Sequence, residues 1–111
     1  MEEKLSAETL TKSMIAIAQQ CEKDSMLWFP NSHNLVEHTL SQCGEAGELA
    51  NVVKKIMRGS LDIGDSKVRF KAIMENTDVF IYNMNIAALL KYDPYMAYMT
   101  KRQENAERFG K

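Results

Sequence analysis

Apolar residues recur along this chain at steps of three and four, and no segment reads as a strand. The first segment in that rhythm runs from about Ser6 to Lys23, with Leu10, Met14, Ile17, Ala18 and Cys21 on one face and Ser6 as N-cap. A connector, SMLWFPN, follows; Pro30 forces an extended approach, and Asn31 or Ser32 is placed to cap the next helix. The second helix is expected from about Ser32 to Arg58, with Lys54, Lys55 and Arg58 near its negative end and Gly59 closing it. Residues 59–66, GSLDIGDS, read as a turn-rich loop, and a third helix spans about Lys67 to Lys91. Asp93 and Pro94 are a cap and a first residue for a fourth helix reaching about Arg108. The expectation is a single all-α domain over residues 1–111, a bundle of about four helices completed by oligomerisation.

Residues three and four apart share a helix face, so such steps trace strips. On the second helix one strip reads Asn34, His38, Ser41, Glu45, Glu48, Val52, Lys55, and the neighbouring Leu35, Thr39, Cys43, Ala46, Ala50, Val53, Met57 reads as its core face. The third helix carries Lys71, Glu75, Asp78, Tyr82, Asn85, Leu89 in the same steps. Beyond Asp78 it is apolar on nearly every side, as a helix buried all round is. Phe80, Met84, Ala87 and Ala88 lie away from the Glu75–Tyr82 strip and require a cover of their own, which a second subunit would supply. The fourth helix adds Tyr98, Lys101, Asn105 and Arg108.

Composition narrows the classes. Fourteen basic residues stand against 15 acidic ones for a net charge of −1, and no helix has a basic face, which argues against nucleic acid and anionic lipid as partners. The apolar stretch from Val79 to Leu90 is broken by Asn83 and Asn85 and falls short of a membrane span. Cys21 and Cys43 lack metal-like spacing, and the N-terminus is charged, so a cytoplasmic protein with reduced, buried thiols is expected.

Two carboxylates three apart on one helix, facing two more on another, make an oxygen-rich box of the kind hard divalent cations prefer. With Lys101 and Arg108 available for phosphate oxygens, Glu45, Glu48, Glu75 and Asp78 suit phosphoryl transfer to water. A di-iron carboxylate bundle needs Glu-x-x-His pairs, and Pro30 and Leu35 stand where those glutamates belong. A helical module that binds a nucleotide or a protein without turnover remains the alternative.

The run CGEAGELANVVKKIMRG (Cys43 to Gly59), then MENTDVFIYN (Met74 to Asn83) and KRQENAERFG (Lys101 to Gly110), resembles the MazG-like nucleotide pyrophosphohydrolases, whose superfamily includes dimeric dUTPases and dCTP pyrophosphatases. Its signature is EExxE, a spacer, then ExxD. Glu45 and Glu48 match the second and third glutamates, Glu75 and Asp78 match ExxD, and residues 49–74 are the spacer. WFPNSHNL (Trp28 to Leu35) is similar to the segment preceding GExGEL in dCTP pyrophosphatase-like members. Gly44 replaces the first glutamate, as in the GExGE branch; the Asn76-Thr77 pair before Asp78 is a second departure.

The resemblance implies attack of an activated water on the α-phosphorus of a nucleoside triphosphate, giving monophosphate and pyrophosphate, a nucleotide-pool or house-cleaning activity. It implies magnesium, with manganese able to substitute, on Glu45, Glu48, Glu75 and Asp78, with Glu45 or Glu48 orienting or deprotonating the water. Tyr82, Lys101 and Asn105 match positions that contact sugar or phosphates in relatives, and Lys54, Lys55 and Arg108 are further phosphate candidates. Trp28, Asn34 and His38 are the candidates for the base; Trp28 either stacks on it or plugs the bundle end, and His38 either contacts it or is satisfied by a neighbour. The resemblance also implies a homodimer or homotetramer, and a weak lean toward dCTP-like substrates.

Overall fold

The computed structural model describes residues 5–110 and is all-helical, with four helices: α1 (Ala7–Trp28), α2 (Leu35–Met57), α3 (Ser66–Leu90) and α4 (Pro94–Phe109). Each start is fixed by a side chain that accepts from an otherwise unpaired backbone N–H. Ser6 accepts from Thr9 N, Asn34 from Glu37 N, Asp65 from Lys67 N and Asp93 from Tyr95 N. Gly59, at φ 80°, follows the end of α2, and Gly110, at φ 70°, closes α4. The end of α3 falls to Lys91 at φ 57°, a left-handed position that a side chain adopts at a cost.

Two boundaries differ from expectation. Helix α1 continues past Lys23 to Trp28, because proline at position 30 restricts only its immediate predecessor. That predecessor, Phe29, is the C-cap, at φ −135°. Helix α2 is capped by Asn34 rather than Asn31 or Ser32, so the helix opens three residues later than Ser32.

Helix α3 is the spine: it packs against α2 along most of its length and against α1, while α4 rests on α1. Gln42 of α2 donates to the Asn83 carbonyl of α3, a polar tie across the main helix contact. Among the described residues the core is thin, with Ala18, Val52, Met84 and Ala87 buried and no large side chain fully enclosed. The radius of gyration, 16.9 Å, exceeds the roughly 13 Å typical of a compact chain near this length.

The faces are not all as the periodicity implied. On α2 the inward residues are His38 and Val52, buried, with Ser41 and Glu45 half-buried: the strip taken as polar. The strip whose spacing predicts the core face is open, with Leu35 at 42%, Val53 at 43% and Met57 at 83% exposure, and Cys43 is exposed rather than buried. On α3, Met84 and Ala87 are covered within the chain and need no second subunit, whereas Phe80 and Ile81 remain partly open. Among the described residues no helix is long and apolar enough to cross a membrane.

Candidate metal centre and adjoining cavity

Glu45 projects from the middle of α2, and Glu75 and Asp78 from successive turns of α3, the helix that α2 packs against most extensively. These three residues bring carboxylate oxygens to within 4.8 Å of one another. Glu48, one turn after Glu45, is exposed and stays outside that trio. The Glu45 carboxyl is pushed above its ordinary range, first by burial and then by repulsion from Asp78, Glu75 and Glu48. A trio of anionic oxygens held against its own repulsion is a donor set that fits a hard divalent cation and suits soft metals poorly.

Glu45 and Asp78 also form one wall of a cavity of about 290 Å3. The five residues by which α1 outruns expectation carry Ser25 and Trp28 to this cavity, and Phe29, Ile81 and Tyr82 supply further apolar surface. Trp28 is 63% exposed and therefore is not a buried plug at the bundle end. Its floor is polar. His38, 4% exposed, places Nε2 3.2 Å from Ser25 Oγ and 2.9 Å from His33 Nδ1, and Ser25 Oγ lies 2.9 Å from His33 Nδ1. The His38 ring also sits 5.8 Å, centroid to centroid, from Tyr82. Burial first, then the neighbouring His33, lowers the His38 pKa, so the ring is neutral near pH 7.

The structure thus gathers Trp28, His38, Glu45, Asp78 and Tyr82 around one cavity, with Glu75 beside it. The other candidates lie elsewhere in the single chain. Asn34 spends its side-chain oxygen on the α2 cap, with Glu37 N 2.9 Å away. Lys54 and Lys55 stand exposed in the last turn of α2. Lys101, Asn105 and Arg108 line a separate surface cleft on α4, where Lys101 pairs with Glu104 at 3.4 Å. Ser25 and Asn85, 3% exposed, line the same cavity as His38 and were not among the sequence candidates. The signal for Asn85 was its place on the Glu75–Asp78–Tyr82 strip, an amide within the apolar stretch from Val79 to Leu90.

No family model, no curated protein and no solved structure matches the chain. The functional reading therefore stands on the residues and their geometry.

Proposed function

We propose that this chain is a magnesium-dependent nucleoside triphosphate pyrophosphohydrolase of the MazG-like type, producing a nucleoside monophosphate and pyrophosphate. The observation that carries the reading is the convergence of Glu45, Glu75 and Asp78 within 4.8 Å at the wall of a cavity that also holds Trp28 and Tyr82. Phosphate chemistry next to an aromatic-lined recess suits a nucleotide better than an inorganic polyphosphate.

Magnesium on Glu45, Glu75 and Asp78, with Glu48 one turn along α2 as a further carboxylate, would neutralise phosphate charge and make water a better nucleophile. The chain's own groups supply the rest. Glu45, which lies both in the trio and in the cavity wall, is placed to orient the attacking water or take its proton. Trp28, at the exposed rim, offers a face for a planar base, and Tyr82 lines the same recess four residues after Asp78. Lys101 and Arg108 of α4 line a different cleft from the carboxylate trio, so phosphate contacts from them would come from a second copy of the chain. The open strip on α2, from Leu35 to Met57, and the thin core favour such a homodimer or homotetramer.

The test is release of pyrophosphate from a panel of triphosphates with magnesium, manganese or chelator. A nucleotide-binding module without turnover, the alternative, predicts binding at this cavity and no product.

A further inference from the structure

The chain has two histidines, and both belong to one polar cluster that hydrolysis at the carboxylate trio does not use. His33 stands in the connector between α1 and α2, His38 in the first turn of α2, and Ser25 in the last turn of α1. His33 Nδ1, His38 Nε2 and Ser25 Oγ close a triangle with sides of 2.9, 2.9 and 3.2 Å. Helix α1 packs chiefly on α3 and α4, and this triangle ties its C-terminal turn to α2. The same turn carries Trp28 to the cavity that Glu45 and Asp78 also border.

The triangle suits a neutral His38. A 2.9 Å contact between two ring nitrogens holds one hydrogen, donated by one ring and accepted by the other. The outer nitrogens, His33 Nε2 and His38 Nδ1, are closed off from solvent and make no hydrogen bond among the described residues. His33 has the Glu22 carboxylate 3.7 Å from Nε2 as a counter-charge, whereas no described carboxylate pairs with His38. A charged His38 carries a hydrogen on both nitrogens, so in the closed triangle its Nδ1–H is buried with no acceptor. Any charge on His33 then lies 4.9 Å away, ring centre to ring centre. Turning the ring toward water relieves both and breaks the triangle. The other groups around His38 do not reverse this. Glu37 on α2 favours the charged form, and burial and His33 outweigh it. From α3 the Tyr82 ring lies 5.8 Å away between centroids. Cys21 and Asp24 of α1, Glu45 of α2 and Asp78 of α3 border the same cavity, with Glu45 about 10 Å along α2 from His38.

We propose that Ser25, His33 and His38 form a proton-sensitive clasp, which holds the Trp28 end of α1 on α2 while His38 is neutral and releases that wall of the cavity when His38 is charged. Closure is complete above the ordinary histidine value of about 6.5 and is lost as pH falls below it, because the ring in water takes a proton more readily than the closed one. Through Trp28 the clasp acts on substrate binding, a consequence that rests on the nucleotide reading. The opening itself does not.

Two measurements on the full chain test the opening. Nitrogen-15 spectra of the histidine rings follow their charge, with no third histidine to overlap. Hydrogen exchange follows the α1 end through the amides of Phe29 and Ser32, which donate to Ser25 O at 2.8 Å and to Phe29 O at 3.0 Å. As His38 takes charge, protection at these two amides should fall at least about tenfold, while the amides of Met84 to Ala87 in α3 keep theirs. In His38→Gln, whose side-chain amide replaces Nε2 without titrating, protection at Phe29 and Ser32 should agree within about twofold between about pH 5.5 and about pH 7.5. Should His38→Gln not fold, wild type decides alone, since ring charge and exchange must change over one pH range. Protection that persists while His38 is charged, that falls while His38 is neutral, or that falls equally in His38→Gln would overturn the clasp. With triphosphate and magnesium, the rise in KM between the same two pH values should be at least about threefold larger in wild type than in His38→Gln. An equal rise in both would overturn its action on substrate. An acid-opened clasp without turnover would sink the hydrolase and spare this proposal, and turnover with exchange indifferent to His38 would do the reverse.

Discussion

Replacing Glu45 by glutamine removes one charge from the carboxylate trio while keeping its volume, and it separates two roles of that side chain. The oxygens of Glu45, Glu75 and Asp78 lie within 4.8 Å of one another. At that spacing two unit charges repel by about 0.9 kcal/mol at the dielectric of water and about 3.5 kcal/mol at an effective dielectric of 20. Glu45 and Glu75 are half-buried, so solvent screening puts the relief near the lower figure per neighbour, on the order of 1–2 kcal/mol in all. Metal-free Glu45→Gln should therefore melt higher than wild type, by about 4 °C or more. The pH dependence has a definite sign. A carboxyl raised in the folded state is least costly when protonated, so the Glu45 contribution favours the fold below its ordinary pKa. That contribution is lost as pH rises through the raised value, and Glu45→Gln should flatten the loss. Magnesium inverts the ranking, since at a hundred times Kd it adds about 2.7 kcal/mol to whichever protein binds it. Differential scanning calorimetry with chelator and with magnesium across pH 4–8 measures all of this. A metal-free Glu45→Gln that melts below wild type, or one that keeps the full magnesium shift, would refute the electrostatic argument.

Trp28→Ala should raise KM by roughly fivefold or more, the lower end of a base-stacking contribution, and change kcat less, because stacking serves bound substrate and transition state alike; a fall in kcat alone would contradict a stacking role. Sedimentation at micromolar concentration should show an oligomer, since the α2 strip ending at Met57 is open in one chain; an active species of 12.7 kDa would show that one chain suffices. Lys91→Gly should stabilise the fold by up to about 1 kcal/mol in chemical denaturation, because Lys91 sits at φ 57°; a loss of stability would mean that its side chain makes up for the strain.

Four helices and the helix-capping roles of Ser6, Asp93 and Pro94 were legible because each depends on local chemistry alone. Asn34 was also legible in principle: it is followed three residues later by Glu37, a capping-box spacing, but Asn31 and Ser32 offered the same chemistry nearer the proline. The facing of α2 was harder. Its apolar strip is built largely of alanine, threonine and cysteine, which gain little from burial, while His38 gains Ser25 and His33 and Gln42 gains Asn83. Those pairings, which helix spacing does not show, go with the inward turn of the mixed strip. Spacing set Glu45 at the core margin and Glu48 further out on the strip facing Glu75 and Asp78; Glu45 is half-buried in the trio and Glu48 is exposed and outside it. Asn85 was passed over because an amide in a buried helix is as readily tied to a neighbour as left open, and only coordinates tell the two apart.

The central claim is hydrolysis at the carboxylate trio. The most direct measurement is the phosphorus product released from nucleoside triphosphates by wild type and Asp78→Asn, with magnesium and with chelator. Wild type with magnesium should release pyrophosphate and monophosphate, nothing should form with chelator, and Asp78→Asn should lose at least about a hundredfold at unchanged helical content. Orthophosphate as the first product, or full activity in Asp78→Asn, would contradict it.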